Sequence, residues 1–481
     1  MANLINLIKE RSANSTSNIA FECGSENISY GDLRSRLNSL AQYFSRNSVK
    51  TGDVVGLYFQ REFYQALSLL ALANLGATSY SLPKNASTIL RNKMMQSVNA
   101  NIIISDQYIE FSENRSILVE PSLDFDGLID SDLADPEGPW LIINSSGSTG
   151  DPKLICISHE TAIRRMSLYQ HHLKIGPNDR ISSLTSLDLP STKNQMLSAL
   201  VNGACYVFSD TDTRRLGEFI SRKRITILYT SPAHLHQLLA VSREDMKSVR
   251  AVVAAGSLIS DKLRIDFKER FGEILVVRYG TSETGPISDT SPTDLDQPSG
   301  TVGLPIEGVS VEIVTADGKP TSLGQPGRIK VQSIGQADGY LGQNGLTAFG
   351  SGFFPGDLGV LTNAGQLIHL GREDDMMIMN GVNIYPPEIE HVLSKHQAVI
   401  DVVVRPQRHE ILGDIPIAFV EIFPNFSVSC ADLLNFCREH LGPRAPRQVQ
   451  IIDKIPRNSM GKPDRKKLDS WALGSPGVIL G

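Results

Sequence analysis

The chain has 481 residues, of which 41% are hydrophobic and 20% charged. These are the proportions of an ordinary globular protein, so they exclude wholesale disorder and predict roughly two to four domains. The formal net charge of −6 disfavours a protein whose main partner is nucleic acid, and the longest apolar stretch, 66–77, falls short of the about 20 residues that a membrane span needs.

The cysteines and the first residues indicate the compartment. The five cysteines form no C-x-x-C pair, so the sequence implies neither a disulfide framework nor a zinc site. Lys9 and Arg11 follow the first apolar residues, whereas a secretory signal places its positive charges before them. We therefore expect a reduced, cytoplasmic protein.

The first three hundred residues alternate between helix and strand patterns. Apolar residues at helical spacing predict a helix over 30–46 and another over 62–75, with a buried strand at 54–59 between them. Strands predicted at 225–229 and 249–254 bracket a helix at 232–241. This alternation predicts an α/β architecture.

The pattern changes twice after residue 300. Recurring glycines between short alternating strands over 300–371 predict a small β-barrel or sandwich. Beyond Arg372, a helix opens at Tyr385 with proline in its first turn. Two strands, an amphipathic helix at 431–441 and a last strand follow, which predicts a compact α+β unit of roughly 100 residues.

A Ser/Gly-rich loop ending in a lysine is the strongest local signal. The segment 145–153, SSGSTGDPK, lies between two apolar strands. Glycines allow close backbone approach, hydroxyls donate hydrogen bonds, and Lys153 adds positive charge, which together suit a polyphosphate. The loop is not a Walker A motif, because a strand follows the lysine instead of a helix. The alternative is a polar hairpin turn.

Further motifs follow in an order that resembles the adenylate-forming superfamily, which comprises acyl- and aryl-CoA synthetases, adenylation domains of nonribosomal peptide synthetases, and beetle luciferases. The motifs that resemble those of this family are SSGSTGDPKLICISH from Ser145, YGTSETG from Tyr279, GD at Gly356, GREDD from Gly371, GVNIYPPEIE from Gly381 and NSMGKPDR from Asn458. In the third, Pro355 replaces the usual Thr. The resemblance extends over nearly the whole chain.

The resemblance implies a fold and a domain order. It implies a large N-terminal domain, 1–371, that binds nucleotide and acid and comprises two α/β sheets plus a small β-barrel. A hinge at 372–374 would connect it to a small mobile α+β domain, 375–481, that carries the catalytic lysine. Asp374 matches the residue about which the small domain rotates in this family. Without the resemblance, it would be interpreted as part of a charged loop.

The resemblance also implies an activity: ATP- and Mg²⁺-dependent adenylation of a carboxylic acid, followed by thioester formation with CoA. The alternative is a stand-alone enzyme that loads an amino or other small acid onto the phosphopantetheine of a carrier protein. A non-catalytic nucleotide-binding relative is a third possibility, which the presence of Glu283, Asp357 and Lys462 disfavours. The expected partners are therefore a small carboxylic acid and CoA or a carrier protein, without nucleic acid or membrane.

The implied catalytic residues are Lys462, which would bridge the carboxylate and the α-phosphate, Ser282, and Glu283 as the Mg²⁺ ligand. Without this resemblance, Glu283 and Asp357 would be interpreted as turn residues, and Lys462 as part of a solvent-exposed run of basic residues. The residues implied to bind the nucleotide are Ser146, Gly147, Ser148, Thr149, Gly150, Lys153, Tyr279, Gly280, Thr281, Asp357 and Arg372.

The position of the family's motifs also implies an acid pocket. Its candidate residues are Asp188, Pro190, Asn194, Val253, Ala255, Arg278 and Ile287. Arg278 would bind a second carboxylate of a dicarboxylic acid in a bidentate manner, or would instead pair with Glu283 or Asp289 as a structural ion pair. Asp188 is a weak substitute for the aspartate that binds an α-ammonium group in amino-acid-activating relatives, because it lies two residues too early. The apolar Met377–Met379 segment replaces a frequent lysine of the acceptor channel.

Overall fold

The computed structural model describes residues 3–14, 16–84, 86–109, 115–119, 138–145, 153–170, 172–209, 215–291, 298–342, 345–380, 382–409, 412–457 and 462–474. The helices are α1 (Leu4–Asn14), α2 (Tyr30–Arg46), α3 (Glu62–Leu75), α4 (Thr88–Ser97), α5 (His159–Gln170), α6 (Pro190–Val201), α7 (Leu216–Arg222), α8 (Pro232–Leu238), α9 (Asp261–Phe271), α10 (Pro386–Ser394), α11 (Cys430–Leu441) and α12 (Arg465–Gly474). The predicted bounds of α2 and α3 are confirmed, and α8 ends three residues earlier than expected.

The strands, in chain order, are β1 (Ile19–Cys23), β2 (Glu26–Ser29), β3 (Val54–Tyr58), β4 (Thr78–Ser81), β5 (Ile102–Ser105), β6 (Arg115–Leu118), β7 (Pro139–Asn144), β8 (Leu154–Ser158), β9 (Arg180–Ser183), β10 (Cys205–Phe208), β11 (Ile227–Thr230), β12 (Ala251–Ala255), β13 (Leu275–Thr281), β14 (Gly285–Asp289), β15 (Leu304–Pro305), β16 (Val309–Val314), β17 (Gly327–Ser333), β18 (Gly339–Gly342), β19 (Gly345–Ala348), β20 (Asp357–Leu361), β21 (Leu367–Arg372), β22 (Met377–Met379), β23 (Val382–Ile384), β24 (Val399–His409), β25 (Gly413–Ile422) and β26 (Gln448–Ile452).

Two large sheets form the body of the molecule and confirm the α/β expectation. One has nine strands in the order β15-β14-β13-β12-β11-β9-β10-β1-β2, and the other eight in the order β19-β18-β8-β7-β4-β3-β5-β6. Their central strands pair in parallel, which explains the continuous apolar runs in the sequence, because parallel strands are covered on both faces. Helices α3, α5 and α6 contribute to one hydrophobic core with strands of both sheets.

The glycine-rich segment divides between two sheets. Strands β16, β17, β20 and β21 form a four-stranded antiparallel sheet in that order, where the sequence predicted a small β-barrel or sandwich. Strands β18 and β19 leave it and extend the eight-stranded sheet, where β18 pairs antiparallel with β8. This exchange brings the glycine-rich segment against the strand that follows the Ser/Gly-rich loop.

The residues after the last strand of that small sheet form a sheet and a core of their own. Strands β22 to β26 make the sheet, and α10 and α11 pack on it. Met377 and Met379 are 0% and 3% exposed in this core, whereas Ile378 between them is 49% exposed, so the two methionines of the apolar segment that replaces the expected lysine fill space between sheet and helix. No helix in the described ranges is long and apolar enough to cross a bilayer.

Candidate active site

The hairpin between β13 and β14 carries the TSE segment of the proposed site. Thr281 Oγ1 accepts a hydrogen bond from the backbone amide of Thr284 at 3.1 Å and lies 3.0 Å from its hydroxyl oxygen. This hydroxyl therefore stabilises the turn. Gly280 is required at the approach of the two strands, because a Cβ there would lie 2.6 Å from the carbonyl oxygen of Gly285.

A buried arginine that the sequence did not single out holds this hairpin from behind. Arg165 on α5 is 1% exposed. Its guanidinium donates to the carbonyl oxygens of Gly335 at 2.7 Å, Ser282 at 2.9 Å and Glu283 at 3.0 Å. Burial lowers the pKa of Arg165 to about 10. Because α5 begins directly after β8, the arginine connects the Ser/Gly-rich loop region to the hairpin.

The proposed metal ligand, Glu283, lies beside an aromatic side chain and a cation. The Tyr340 hydroxyl donates to Glu283 Oε1 at 3.2 Å, and Lys153 Nζ lies 4.8 Å from the centre of the Tyr340 ring. Burial, followed by the charge of Glu283, raises the pKa of Tyr340. The position of Tyr340 depends on β18 joining the eight-stranded sheet, and no sequence motif indicated it.

The base of the Ser/Gly-rich loop is a paired β-ladder. The backbone amide of Ser145 donates to the carbonyl oxygen of Lys153 at 2.8 Å, and the Lys153 amide donates to Ser145 Oγ at 3.0 Å. The loop therefore leaves and re-enters the sheet at adjacent positions. The five predicted nucleotide ligands between them, Ser146, Gly147, Ser148, Thr149 and Gly150, lie outside the described residues.

Asp357, the predicted ribose ligand, is the centre of a hydrogen-bonded group. It is 6% exposed and accepts from the Tyr279 hydroxyl at 2.5 Å and from Arg372 Nη1 at 3.2 Å. His369 Nε2 lies 3.6 Å from the same carboxylate. Burial alone would raise the pKa of Asp357, but His369, Tyr279 and Arg372 together lower it. His369 is a functional candidate that the sequence analysis missed. Its position three residues before Arg372 on β21 could have indicated that it lies near the same carboxylate.

Lys462 lies within the electrostatic reach of residues from three other segments. Burial and the positive charges of Arg465 and Arg372 lower its pKa, while the negative charges of Asp357 and Glu283 oppose this shift. The predicted lysine therefore lies within electrostatic range of the predicted ribose ligand and metal ligand, although the three residues are 74 to 179 positions apart in the chain. The C-terminal unit also contacts the body: His391 Nδ1 on α10 lies 3.2 Å from Asp261 Oδ2 on α9.

The residues proposed as a hinge form a single 3₁₀ turn, Glu373–Asp375, between β21 and β22. Its middle residue, Asp374, has a side chain that is 62% exposed and lies 4.0 Å from Arg372 Nη2. Asp375, in contrast, is buried and pairs with Arg405 at 2.8 Å and Arg465 at 2.6 Å. Glu373, on the other side, pairs with Arg328 at 3.0 Å, so both neighbours of the exposed residue form ion pairs.

Arg278 forms an ion pair with Asp289, one of the two structural partners considered from the sequence. Arg278 Nε donates to Asp289 Oδ1 at 2.7 Å, and Nη2 donates to Oδ2 at 2.6 Å. Both side chains are buried, and the guanidinium carbon lies 4.8 Å from the centre of the Tyr169 ring. Since Asp289 already occupies the bidentate face, Arg278 cannot offer that face to a dicarboxylic acid.

Only some of the other pocket candidates lie beside Arg278. Ala255 pairs with it in register on β12, and Val253 lies two residues earlier on the same face. Asn194 on α6 hydrogen-bonds the Tyr169 side chain. Ile287 does not join them, because a register shift after Tyr279 leaves it unpaired in the ladder and it packs in the core of the small sheet.

The loop before α6 also differs from what the sequence suggested. Asp188 Oδ1 accepts from the Gln65 amide at 2.8 Å, so α3 takes up the carboxylate considered for an α-ammonium group. Lys193, which is fully buried, donates to the carbonyl oxygens of Leu187 at 2.6 Å and Asp188 at 2.9 Å. Pro190 is in the first turn of α6. These contacts give Asp188 a structural role in the loop.

Mg²⁺ binds proteins through one or two carboxylates together with substrate phosphates, and Glu283 fits that pattern as a single carboxylate. Among the described residues, no group of three or more His, Cys, Asp or Glu side chains could hold a metal ion by itself. A cation here would therefore be shared between the protein and a nucleotide.

Comparison with known proteins gives a family-level match. The model of the AMP-binding enzyme family matches residues 8–341, and that of the AMP-binding enzyme C-terminal domain matches 388–462. Naringenin synthase of Pestalotiopsis fici is 27% identical over 97% of this chain, which spans only 19% of that relative's length. The 2-succinylbenzoate–CoA ligase of a Geobacillus species is 26% identical over 96% of both chains.

A solved structure shows the same fold. The o-succinylbenzoate coenzyme A synthetase of Bacillus subtilis in complex with AMP superimposes with a TM-score of 0.85 at 22% identity, over 96% of this chain and 98% of that one.

Proposed function

This chain belongs to the AMP-binding enzyme family, and from that premise we propose that it activates a carboxylic acid with ATP and then transfers the acyl group to the thiol of CoA. One carboxylate oxygen of the acid attacks the α-phosphorus, and pyrophosphate leaves. The thiolate of CoA then attacks the carbonyl carbon of the acyl adenylate, and AMP leaves. Relatives over the full length of the chain include a CoA ligase, which supports CoA as the acceptor.

The observation that carries this proposal is the convergence of Lys462, Asp357 and Glu283. Charge shifts from the carboxylate to the phosphate oxygens during adenylation, so a fixed cation at that point stabilises the transition state more than the ground state. We assign this task to Lys462, since its long flexible side chain reaches from the C-terminal unit.

The remaining residues position the nucleotide. We assign Asp357 to the ribose hydroxyls, because its lowered pKa keeps it ionised as a hydrogen-bond acceptor. Arg372 holds this carboxylate in place. Glu283 would hold Mg²⁺, which supplies charge neutralisation on the phosphates when it is bound. Ser282 and the 146–150 loop remain proposed donors to phosphate oxygens.

We also propose a division into a body, 1–371, a hinge, 372–374, and a cap, 375–481. The separate sheet and core of the cap support this division, as does the exposed Asp374 between two anchored neighbours. In the present arrangement Lys462 faces the nucleotide residues, which suits adenylation. Rotation about Asp374 would remove Lys462 and admit the thiol.

Pyrophosphate exchange into ATP, measured with a panel of carboxylic acids, tests the proposal. Exchange that depends on one acid class is the expected result, and its absence with every acid would contradict the enzyme assignment. Addition of CoA or of a pantetheinylated carrier protein to the best acid then distinguishes the two acceptors. Release of AMP with CoA is expected; release only with the carrier would favour the alternative, a stand-alone adenylation enzyme.

A further inference from the structure

The segment 335–340 connects helix α5 to the hairpin that carries Glu283. The backbone amide of Ala337 donates to the carbonyl oxygen of Glu283 at 2.7 Å. The last residue of the segment, Tyr340, donates through its hydroxyl to Glu283 Oε1 at 3.2 Å. The segment therefore holds Glu283 both at its backbone and at its carboxylate.

Asp338, within this segment, anchors it to the start of α5. Its carboxylate accepts from the backbone amide and the hydroxyl of Ser158 at 2.5 and 2.9 Å, and from the Thr161 hydroxyl at 3.0 Å. Ser158 Oγ in turn accepts from the Thr161 amide at 3.1 Å, as the side chain of a helix N-cap does. Asp338 therefore supplies, from 180 positions along the chain, the negative charge that a helix N-terminus favours.

The same helix holds the segment and the hairpin a second time, through Arg165. Its guanidinium donates to the carbonyl oxygens of Gly335, at the start of the segment, and of Glu283. Burial lowers the pKa of Arg165, and the negative charges of Asp338 and Glu283 oppose this shift. Hydrogen bonds and charge thus connect α5, the segment and the hairpin, so the place of Glu283 depends on how α5 anchors the segment.

We propose that Asp338 and Tyr340 are positioning residues for adenylation: Asp338 fixes the segment on α5, and the Tyr340 hydroxyl holds the Glu283 carboxylate in the orientation that receives Mg·ATP. This inference rests on the proposed function, in which Glu283 is the carboxylate that would hold Mg²⁺. A carboxylate that is oriented beforehand loses little conformational freedom when its ligand binds, and side chains fixed by surrounding hydrogen bonds define such a site most sharply.

Tyr340 suits this role because its own position is fixed. Its backbone pairs with Ile155 of β8, and its ring packs edge-on against Phe349, with 4.7 Å between the ring centres. The ring face lies 4.8 Å from Lys153 Nζ. One side chain on a strand therefore contacts both Glu283 and Lys153, which come from separate motifs of the sequence.

Calorimetric binding of ATP, with Mg²⁺ and with EDTA, tests the inference without turnover. Tyr340→Phe should weaken binding of Mg·ATP by about three- to tenfold and leave binding of ATP in EDTA within about twofold, because the hydroxyl acts on Glu283 and not on the nucleotide. In a Glu283→Gln background the same substitution should have no further effect on Mg·ATP. A full effect in that background, or an equal loss with and without Mg²⁺, would overturn the inference.

Asp338→Asn should also weaken binding of Mg·ATP, and its combination with Tyr340→Phe should cost little more than either change alone, because both act through one segment. Asp32→Asn is the matched control, since it alters a helix-capping carboxylate that accepts from Ser29 at the start of α2, and it should bind Mg·ATP as the wild type does. Wild-type binding in Asp338→Asn would overturn the role of Asp338. Wild-type binding in Glu283→Gln would instead contradict the metal ligand of the proposed function, and the inference with it.

Discussion

Tyr279 donates a hydrogen bond to Asp357 Oδ2 at 2.5 Å, and this contact joins β13 of the nine-stranded sheet to β20 of the small sheet. The two residues are 78 positions apart in the chain. The tyrosine thereby fixes the orientation of the carboxylate that we assign to the ribose. A preoriented acceptor loses little conformational freedom when it binds ligand.

Asp357→Asn should weaken the use of ATP. The amide keeps the shape of the side chain but loses the charge that accepts strong hydrogen bonds, each worth about 1.5–3 kcal/mol. We expect kcat/KM for ATP in the exchange assay to fall by about tenfold to a hundredfold. Asp317→Asn, at an exposed carboxylate in the turn after β16, serves as control; an equal loss there would contradict the assignment.

The same carboxylate should contribute a pH-dependent part of the stability. Its pKa is lowered from 3.8 in the folded protein, so the stabilisation is present above the unfolded value and is lost as pH falls through the folded value. The difference in free energy of unfolding between the wild type and Asp357→Asn should therefore shrink as the pH falls below 3.8. Urea unfolding near neutral pH and below that value measures it; a difference that grows on acidification would refute the sign.

Lys462→Gln should lower the rate of adenylation more than any other single substitution in the cap. The loss of a cation that acts on the transition state costs about a hundredfold to a thousandfold in rate. Pyrophosphate exchange measures the effect, and Lys466→Gln, an exposed neighbour on α12, should remain close to wild type. Thioester formation from a supplied acyl adenylate should persist in Lys462→Gln, because that step does not need the lysine in our proposal.

Asp374→Pro should separate the two half-reactions. Proline fixes φ near −65°, so it would restrict rotation about the proposed hinge while leaving the adenylation arrangement in place. We expect pyrophosphate exchange within about threefold of wild type and a large loss of CoA-dependent AMP release. Asp374→Ala removes the same carboxylate without the restriction and should retain both steps. Equal loss of both half-reactions in the proline variant would contradict the hinge.

Arg165→Met should loosen the hairpin that carries Ser282 and Glu283. The variant removes three hydrogen bonds to backbone carbonyls, and we expect about 2–4 kcal/mol of destabilisation together with slower exchange. Arg164→Met is a matched control, since Arg164 is half-exposed on the same helix and pairs with Glu160. Its loss should cost less than about 1 kcal/mol. Chemical denaturation compares the two, and equal effects would refute the supporting role of Arg165.

The sequence located several of the helices and strands and the motif around Lys462 for a simple reason. Helical and strand periodicities arise from neighbours in the chain, so α2 and α3 could be bounded closely. Glu283, Asp357 and Lys462 lie in motifs that resemble a family. The register shift between β13 and β14, which directs Ile287 into the core of the small sheet, leaves no pattern in the local sequence. It depends on how the partner strand pairs.

The sequence by itself determined the α/β class and the change of architecture after residue 300, and it supplied Glu283, Asp357, Arg372 and Lys462 as candidate charged residues of the site. Only the tertiary structure decided their partners. It placed Asp289 against Arg278, Gln65 against Asp188 and His369 beside Asp357, each of which changes what the charged residue can do. The physical reason is that a buried charge takes its properties from the groups that surround it in space, and these come from distant parts of the chain.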